Sequence, residues 1–153
     1  MANLFPELYT NEEELVQNDI EEKVTGYHPG AFFDFESGDY KRTGTNMISE
    51  STGIEAWEQW CIKCLSTHKG SCAAYYDFGI DYESIIGETY RDKVESILRR
   101  NIKESLLADP YERTLDVTDI EFDWSIPDSL IVKATIVGIE NVTKDIVVTI
   151  GGV

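Results

Sequence analysis

The chain has 153 residues, 42% of them hydrophobic, and a formal net charge of −16 at pH 7, which predicts one domain with a single core. So acidic a surface argues against nucleic-acid binding and serves either solubility or docking on basic protein surfaces. No apolar run approaches the ~18 residues of a membrane span, and the N-terminus lacks a secretory signal. Three cysteines, an odd number, favour a reducing compartment, so we expect the protein to fold inside the cell.

The N-terminal part is predicted to be an arm followed by a hairpin. Residues 1–30 are acidic and weakly periodic, so we expect an extended arm that becomes ordered on a partner. Residues 31–153 then form the predicted single domain. It opens with a hairpin over residues 31–50, where Phe33 and Phe35 alternate with acidic residues before the turn sequence SGD.

The stretch CIKCLSTHKGSC, residues 61–72, contains all three cysteines and raises the question of a zinc site. Thr52 and Glu55 have the spacing of a capping box, which predicts a helix that begins before this stretch. On that helix the cysteines share a face with apolar residues, so we predict a buried core face and no metal or other cofactor. The face comprises Ile54, Trp57, Cys61, Cys64, Leu65 and His68. A zinc-bound adaptor is kept as an alternative.

The sequence of the second half of the chain predicts an extended segment, a second helix and a β-meander. The extended piece is CAAYYDFGI, and the helix runs from Arg91 to Leu107. Arg99 and Arg100 lie off its apolar stripe. They form either a solvated face or a contact site for the acidic N-terminal arm or an acidic partner. The stripe comprises Val94, Ile97, Leu98, Ile102 and Leu106. The predicted strands are TLDVTDIEFDW, SLIVKATIVGI and DIVVTIGG. We therefore predict an α+β fold with two main helices on one face of a small, mostly antiparallel sheet.

Catalytic signals are weak throughout the chain. Two histidines leave little for a serine–histidine–acid arrangement, and the glycine-rich phosphate motifs are missing from the sequence. Glycosidases need two carboxylates at a set separation. With 29 acidic residues, some pair will always satisfy that separation, so the number of acids is no evidence for glycosidase activity. We therefore predict no catalytic residue and no enzyme.

The order of the motifs resembles a known family. FDFESGDY, TGIEAWEQWCIKCLST and YYDFGIDYESIIGE precede a basic amphipathic helix ending in SLLADP and then a β-meander. This order is similar to that of the baseplate wedge or sheath-initiator proteins of contractile phage tails, in the branch of Gram-positive prophages and phage-tail-like bacteriocins. The resemblance covers about residues 31–150. Family members are also called lysozyme-like, so a peptidoglycan hydrolase is the second alternative.

The resemblance implies a structural role in a virion or tail-like particle, with the bacterial cytoplasm as the place of assembly. Such proteins join the wedge complex to the tail and present strands on which the first ring of sheath subunits is built. The implied partners are baseplate wedge proteins and the tail sheath protein, with tail tube or tube-initiator proteins as further candidates. Nucleic acid and membrane are not among the expected partners.

The family marker is an acidic residue, a proline and an arginine in sequence, in the loop after the second helix. Here the loop reads ADPYERTLDV, so Asp109 and Pro110 match and the arginine comes later, as Arg113. Either Arg113 takes the role through a bulged loop, or Glu112 and Arg113 do so without the proline. The resemblance thus implies a wedge contact at these four residues. The alternative for Arg113 is a surface ion pair with Asp109 or Glu112.

The last predicted strand has the composition of a pairing template. DIVVTIGG is β-branched, alternating and uncharged after Asp145, and a free edge of this kind would accept a strand from a sheath subunit. The alternative is an ordinary internal strand. The predicted site of strand addition comprises Asp145, Ile146, Val147, Val148, Thr149 and Ile150.

Overall fold

The computed structural model describes residues 25–151 and begins with two short antiparallel pairings. Strand β1 (Gly30–Ala31) pairs with β4 (Glu50–Ser51), and β2 (Phe33–Asp34) pairs with β3 (Asp39–Tyr40). Both pairings agree with the predicted hairpin over residues 31–50: the inner one flanks the turn, and the outer one joins Ala31 to Glu50 at its two ends.

The predicted arm falls only partly within the described residues, because residues 1–24 lie outside them. Residues 25–30 pack against the domain. The Gly26 N–H donates to the Tyr111 carbonyl at 3.0 Å, and the Tyr27 hydroxyl donates to the Ile139 carbonyl at 3.0 Å. The predicted boundary at residue 30 therefore falls within a packed segment.

Helix α1 (Gly53–Ser66) begins with the predicted capping box. The Glu55 N–H donates to Thr52 Oγ1 at 3.2 Å, and the Thr52 N–H donates to Glu55 Oε2 at 2.8 Å, which satisfies two backbone donors at the helix end. The predicted core face is confirmed for four residues, whose exposed fraction is at most 1%: Trp57, Cys61, Cys64 and Leu65. His68 is exposed because the helix ends two residues before it, and its ring lies 5.1 Å from that of Tyr82.

The segment CAAYYDFGI is not extended, contrary to the prediction. It contains a 3₁₀ turn over Ala73–Tyr75, and a second such turn follows at Glu83–Ile85. Local hydrogen bonds, such as those from the Tyr75 N–H to Cys72 and from the Phe78 N–H to Tyr75, satisfy the backbone without a ladder. Within this segment only Ile80 pairs in a β manner, as a bridge to His68.

Helix α2 (Arg91–Leu107) has the predicted bounds and packs on a three-stranded antiparallel sheet. The strands are β5 (Thr114–Asp123), β6 (Ser129–Gly138) and β7 (Thr143–Gly151), in the spatial order β5–β6–β7. Helix α2 lies over β5 and α1 over β7, which confirms the α+β fold with both helices on one face. No helix within residues 25–151 is long and apolar enough to cross a membrane.

The core lies between the two helices and the sheet. The α2 stripe contributes Val94, Leu98, Ile102 and Leu106, all buried as predicted. The Trp57 indole N–H donates to Thr114 Oγ1 at 2.9 Å, so α1 is also tied to the start of β5. The residues that the sheet contributes to the core are Val117, Ile120, Leu130, Val132, Ala134, Ile136, Ile146, Val148 and Ile150.

Candidate functional site

Strand β7 lies at one edge of the sheet, and its pairing with β6 shows which backbone groups face outward. The Gly138 N–H donates to the Val142 carbonyl at 2.7 Å, and Val137 lies opposite Thr143. In an antiparallel ladder, directly opposed residues exchange hydrogen bonds only at every second position. The even-numbered residues of β7 therefore bond to β6, and the odd-numbered ones direct N–H and C=O away from it. The outward set comprises Thr143, Asp145, Val147, Thr149 and Gly151.

The side chains of β7 alternate in the same register. Ile146, Val148 and Ile150 are buried under the helices, whereas the Val147 side chain is 58% exposed on the other face of the sheet. Asp145 accepts a hydrogen bond from the Thr135 hydroxyl at 2.7 Å. Among the described residues, no strand pairs with the outer side of β7. The predicted template segment thus divides into three residues that hold the strand in the fold and three that face the open edge.

The opposite edge of the sheet, β5, is protected against strand addition. Its pairing with β6 shifts register twice, between Thr114 and Asp116 and between Thr118 and Glu121. Side chains of α2 also reach over it. Lys103 Nζ lies 3.1 Å from Asp116 Oδ1, and the Arg99 guanidinium lies over the Phe122 ring. Bulges and charged side chains prevent edge pairing. The register of β7, by contrast, is unbroken from end to end.

The loop after α2 is organised by an ion pair inside the chain. Arg113 Nε donates to Asp109 Oδ2 at 2.8 Å, and Arg113 Nη2 donates to Asp109 Oδ1 at 2.9 Å. Both residues are only 4% exposed. The guanidinium also lies 4.9 Å from the Tyr111 ring centroid and 5.7 Å from that of Trp60. The guanidinium therefore makes its bidentate contact with a carboxylate of the same chain.

This geometry corrects the sequence-based account of Arg113. We expected a guanidinium offered to a partner or a surface pair, and the structure shows a buried pair with Asp109. Pro110, Tyr111 and Glu112 are exposed at the loop tip, where Glu112 has a positive φ of 53°. Sequence reasoning missed Tyr111, although an exposed aromatic residue between a proline and an arginine is a recognisable signal. The wedge contact of the loop stays a prediction.

The three cysteines do not converge. Cys61 and Cys64 are buried in the core and Cys72 is exposed. Burial raises the pKa of the Cys61 thiol, and it raises the pKa of the Cys64 thiol to about 11, so both thiols stay protonated. Within residues 25–151, no three histidine, cysteine or acidic side chains are grouped closely enough to hold a metal ion.

Replacing Cys61 or Cys64 by alanine is expected to lower the free energy of unfolding by roughly 1–2 kcal/mol each, because a small core side chain is truncated. Urea denaturation measures the loss, and the exposed Cys72 provides the control, since its alanine variant should be nearly neutral. A metal chelator should leave the melting temperature of the unmutated protein unchanged. A marked fall in that temperature would contradict the core assignment and revive the zinc hypothesis.

Comparison with known proteins decides the family. The profile of the family described as "contractile injection system sheath initiator" matches residues 31–141, more than two thirds of the chain. The chain belongs to this sheath-initiator family. It is thus a structural component of the baseplate of a contractile tail-like particle, as the motif order implied. No curated protein matches the sequence.

Two solved structures are similar to this sheath initiator. A protein described as a tail lysozyme from Geobacter sulfurreducens is 16% identical, with a TM-score of 0.56, and the match covers 66% of this chain and 92% of that one. The baseplate of the anti-feeding prophage contains a chain that is 17% identical, with a TM-score of 0.47, and the match covers 82% and 87% of the two chains. At these identities the first likeness shows the shared fold, and neither carries the activity of the other protein to this one.

A cleft of about 610 Å³ lies at the start of α2, away from the 109–113 loop, and has mainly apolar walls, including Ile86, Val94 and Trp124. Of its two acids, Glu88 binds Lys93, and that hydrogen bond lowers the pKa of the Glu88 carboxyl. A glycosidase acid needs the opposite shift, a raised pKa. The lining residues thus give no support to the lysozyme name.

Proposed function

We propose that this sheath initiator joins the wedge complex to the tail and templates the first ring of sheath subunits by strand addition at β7. The observation that carries the proposal is the open, regular edge of β7, in contrast to the opposite edge, β5, whose register is broken by two shifts. Five outward residues at two-residue spacing offer N–H and C=O groups to an incoming strand. Assembly in the bacterial cytoplasm, and contacts with tail tube or tube-initiator proteins, belong to the same proposal and rest on the family resemblance.

The wedge contact is proposed at the exposed tip of the loop after α2. Asp109 and Arg113 hold the two ends of the loop together, which lowers the entropy cost of ordering the tip on binding. The Tyr111 ring packs on the Arg113 guanidinium and also lies 5.9 Å from the His28 ring. Arg113 therefore supports the proposed contact from behind, and the four predicted residues, Asp109, Pro110, Glu112 and Arg113, lie in one loop.

A reconstruction of the assembled particle tests the template directly. We expect density for an extended sheath segment beside β7, with hydrogen bonds to Asp145, Val147 and Thr149. The matched control is the β5 edge of the same subunit, which should have no added strand. Extra density at β5, or a β7 edge left bare under an ordered sheath ring, would contradict the proposal.

Replacing Tyr111 by serine is expected to weaken wedge binding about tenfold or more, because an exposed aromatic anchor at a loop tip carries much of a contact. The melting temperature should fall only modestly, since the side chain is 40% exposed but its ring also packs on the Arg113 guanidinium. Binding to purified wedge complex is measured by biolayer interferometry. Tyr75, exposed at the end of the 3₁₀ turn Ala73–Tyr75, gives the control variant Tyr75→Ser. Equal affinities for both variants would remove the loop tip from the wedge contact.

A further inference from the structure

Residues 25–28 form a short strap that lies against the 109–113 loop. The Gly26 N–H donates to the Tyr111 carbonyl at 3.0 Å, and the His28 ring lies 5.9 Å from the Tyr111 ring. Gly26 has a φ of 99°, a backbone conformation that glycine adopts without steric cost. The strap therefore contacts the loop at the residue proposed as the aromatic anchor of the wedge contact.

Tyr27 fastens the strap to the domain. Its ring lies 5.5 Å from the Trp57 ring, and its hydroxyl donates to the Ile139 carbonyl at 3.0 Å. The Ile139 N–H donates in turn to the Arg113 carbonyl at 2.9 Å, so Tyr27 is linked through one residue to the end of the loop. Together with the Gly26 bond, this link holds the loop at both its tip and its end.

Two glycines make room for Tyr27. A Cβ added at Gly53, the first residue of α1, would lie 2.8 Å from Tyr27 Cβ and 3.0 Å from the His28 nitrogen. A Cβ added at Gly138 would overlap with the Tyr27 hydroxyl and the Trp57 ring. Neither glycine has a positive φ, so the constraint at both positions is space rather than backbone conformation. The seat of Tyr27 is therefore built by two separate elements, α1 and β6.

We propose that Tyr27 is a positioning residue of the wedge contact: it seats the strap, and the strap holds Tyr111 in the orientation that the partner binds. This inference rests on the wedge contact proposed above for the loop tip. The Tyr111 N–H donates to Asp109 Oδ1 at 3.2 Å, and its carbonyl accepts from the strap, so both backbone polar groups of the anchor are held. A tip that is ordered before binding loses less conformational entropy in the complex.

Binding of full-chain variants to purified wedge complex tests the inference. Tyr27→Ala should weaken binding about fivefold or more, because the tip must then be ordered during binding. Its matched control, Phe122→Ala, truncates another half-buried ring that packs on the core, at the end of β5 far from the loop, and should bind as the unmutated chain does. Gly53→Ala should also weaken binding. It keeps the tyrosine and suits the helix, but its Cβ would displace the strap.

NMR of the full chain without a partner gives a second readout, at the loop itself. In Tyr27→Ala the amide signals of Tyr111 and Glu112 should shift, and the Gly26 amide should exchange faster with solvent because its hydrogen bond is released. Phe122→Ala should leave these signals in place. Unchanged loop signals in Tyr27→Ala would show that the strap does not position Tyr111.

The binding outcomes separate this inference from the wedge contact itself. If Tyr111→Ser weakens binding while Tyr27→Ala and Gly53→Ala bind normally, Tyr27 has no positioning role and the wedge contact stands. Equal weakening by Tyr27→Ala and Phe122→Ala would also overturn the inference, since the effect would then be one of general stability. Normal binding by Tyr111→Ser would contradict the wedge contact and, with it, the role of Tyr27.

Discussion

Replacing Arg113 by alanine is expected to lower the free energy of unfolding by roughly 3–5 kcal/mol, which makes it one of the most damaging single changes in the loop. The guanidinium and the Asp109 carboxylate are both buried and share two hydrogen bonds. Without the arginine, the Asp109 charge stays buried without its partner, and the Trp60 and Tyr111 rings lose the group between them. Urea denaturation followed by far-UV circular dichroism measures the loss.

The control for this prediction is another arginine of the same region. Arg100 is largely exposed and lies 3.9 Å from Glu104, so Arg100→Ala should change the free energy of unfolding by no more than about 0.5 kcal/mol. The double variant Asp109→Asn with Arg113→Ala should be less damaged than additivity of the single changes predicts, because no charge is left unpaired. A loss below about 1 kcal/mol in Arg113→Ala would show that the pair is not buried as described.

Proline at Val147 is expected to abolish sheath assembly while leaving the domain folded. The Val147 N–H faces the open edge, so proline removes a donor to the incoming strand and places its ring where that strand would pair. The Val147 side chain is exposed, so the core loses nothing. Particles carrying this variant should show baseplates and tubes without an attached sheath in negative-stain electron microscopy.

Proline at the next position provides the matched comparison. The Val148 N–H bonds to β6, and its side chain is only 5% exposed, so Val148→Pro should destabilise the domain and reduce soluble yield. Val147→Thr keeps the strand and its N–H, and it should assemble normal sheath. Particles with intact extended sheath in the Val147→Pro variant would remove β7 as the template and leave a wedge-scaffold role.

Local patterns determined much of the fold. The capping box at Thr52 and the apolar stripe of α2 lie within one element each, and their spacing alone predicted the helices. Alternation along the last 40 residues predicted the meander, and the core positions of Cys61 and Cys64 followed from the face of α1 that they share with Trp57. The prediction of an extended middle segment, CAAYYDFGI, was wrong because local turn-forming hydrogen bonds satisfy its backbone. Such bonds leave no periodic pattern in the sequence.

The candidate site shows where sequence reasoning stops. The sequence by itself determined that the last strand is β-branched and uncharged after Asp145, and that an arginine follows the Asp109–Pro110 pair. Only the tertiary structure decided that β7 lies at the unbulged edge, that its odd-numbered residues face outward, and that Arg113 is buried on Asp109. Edge position, hydrogen-bond phase and burial depend on residues far apart in the chain. Spacing along one segment therefore carries no information about them.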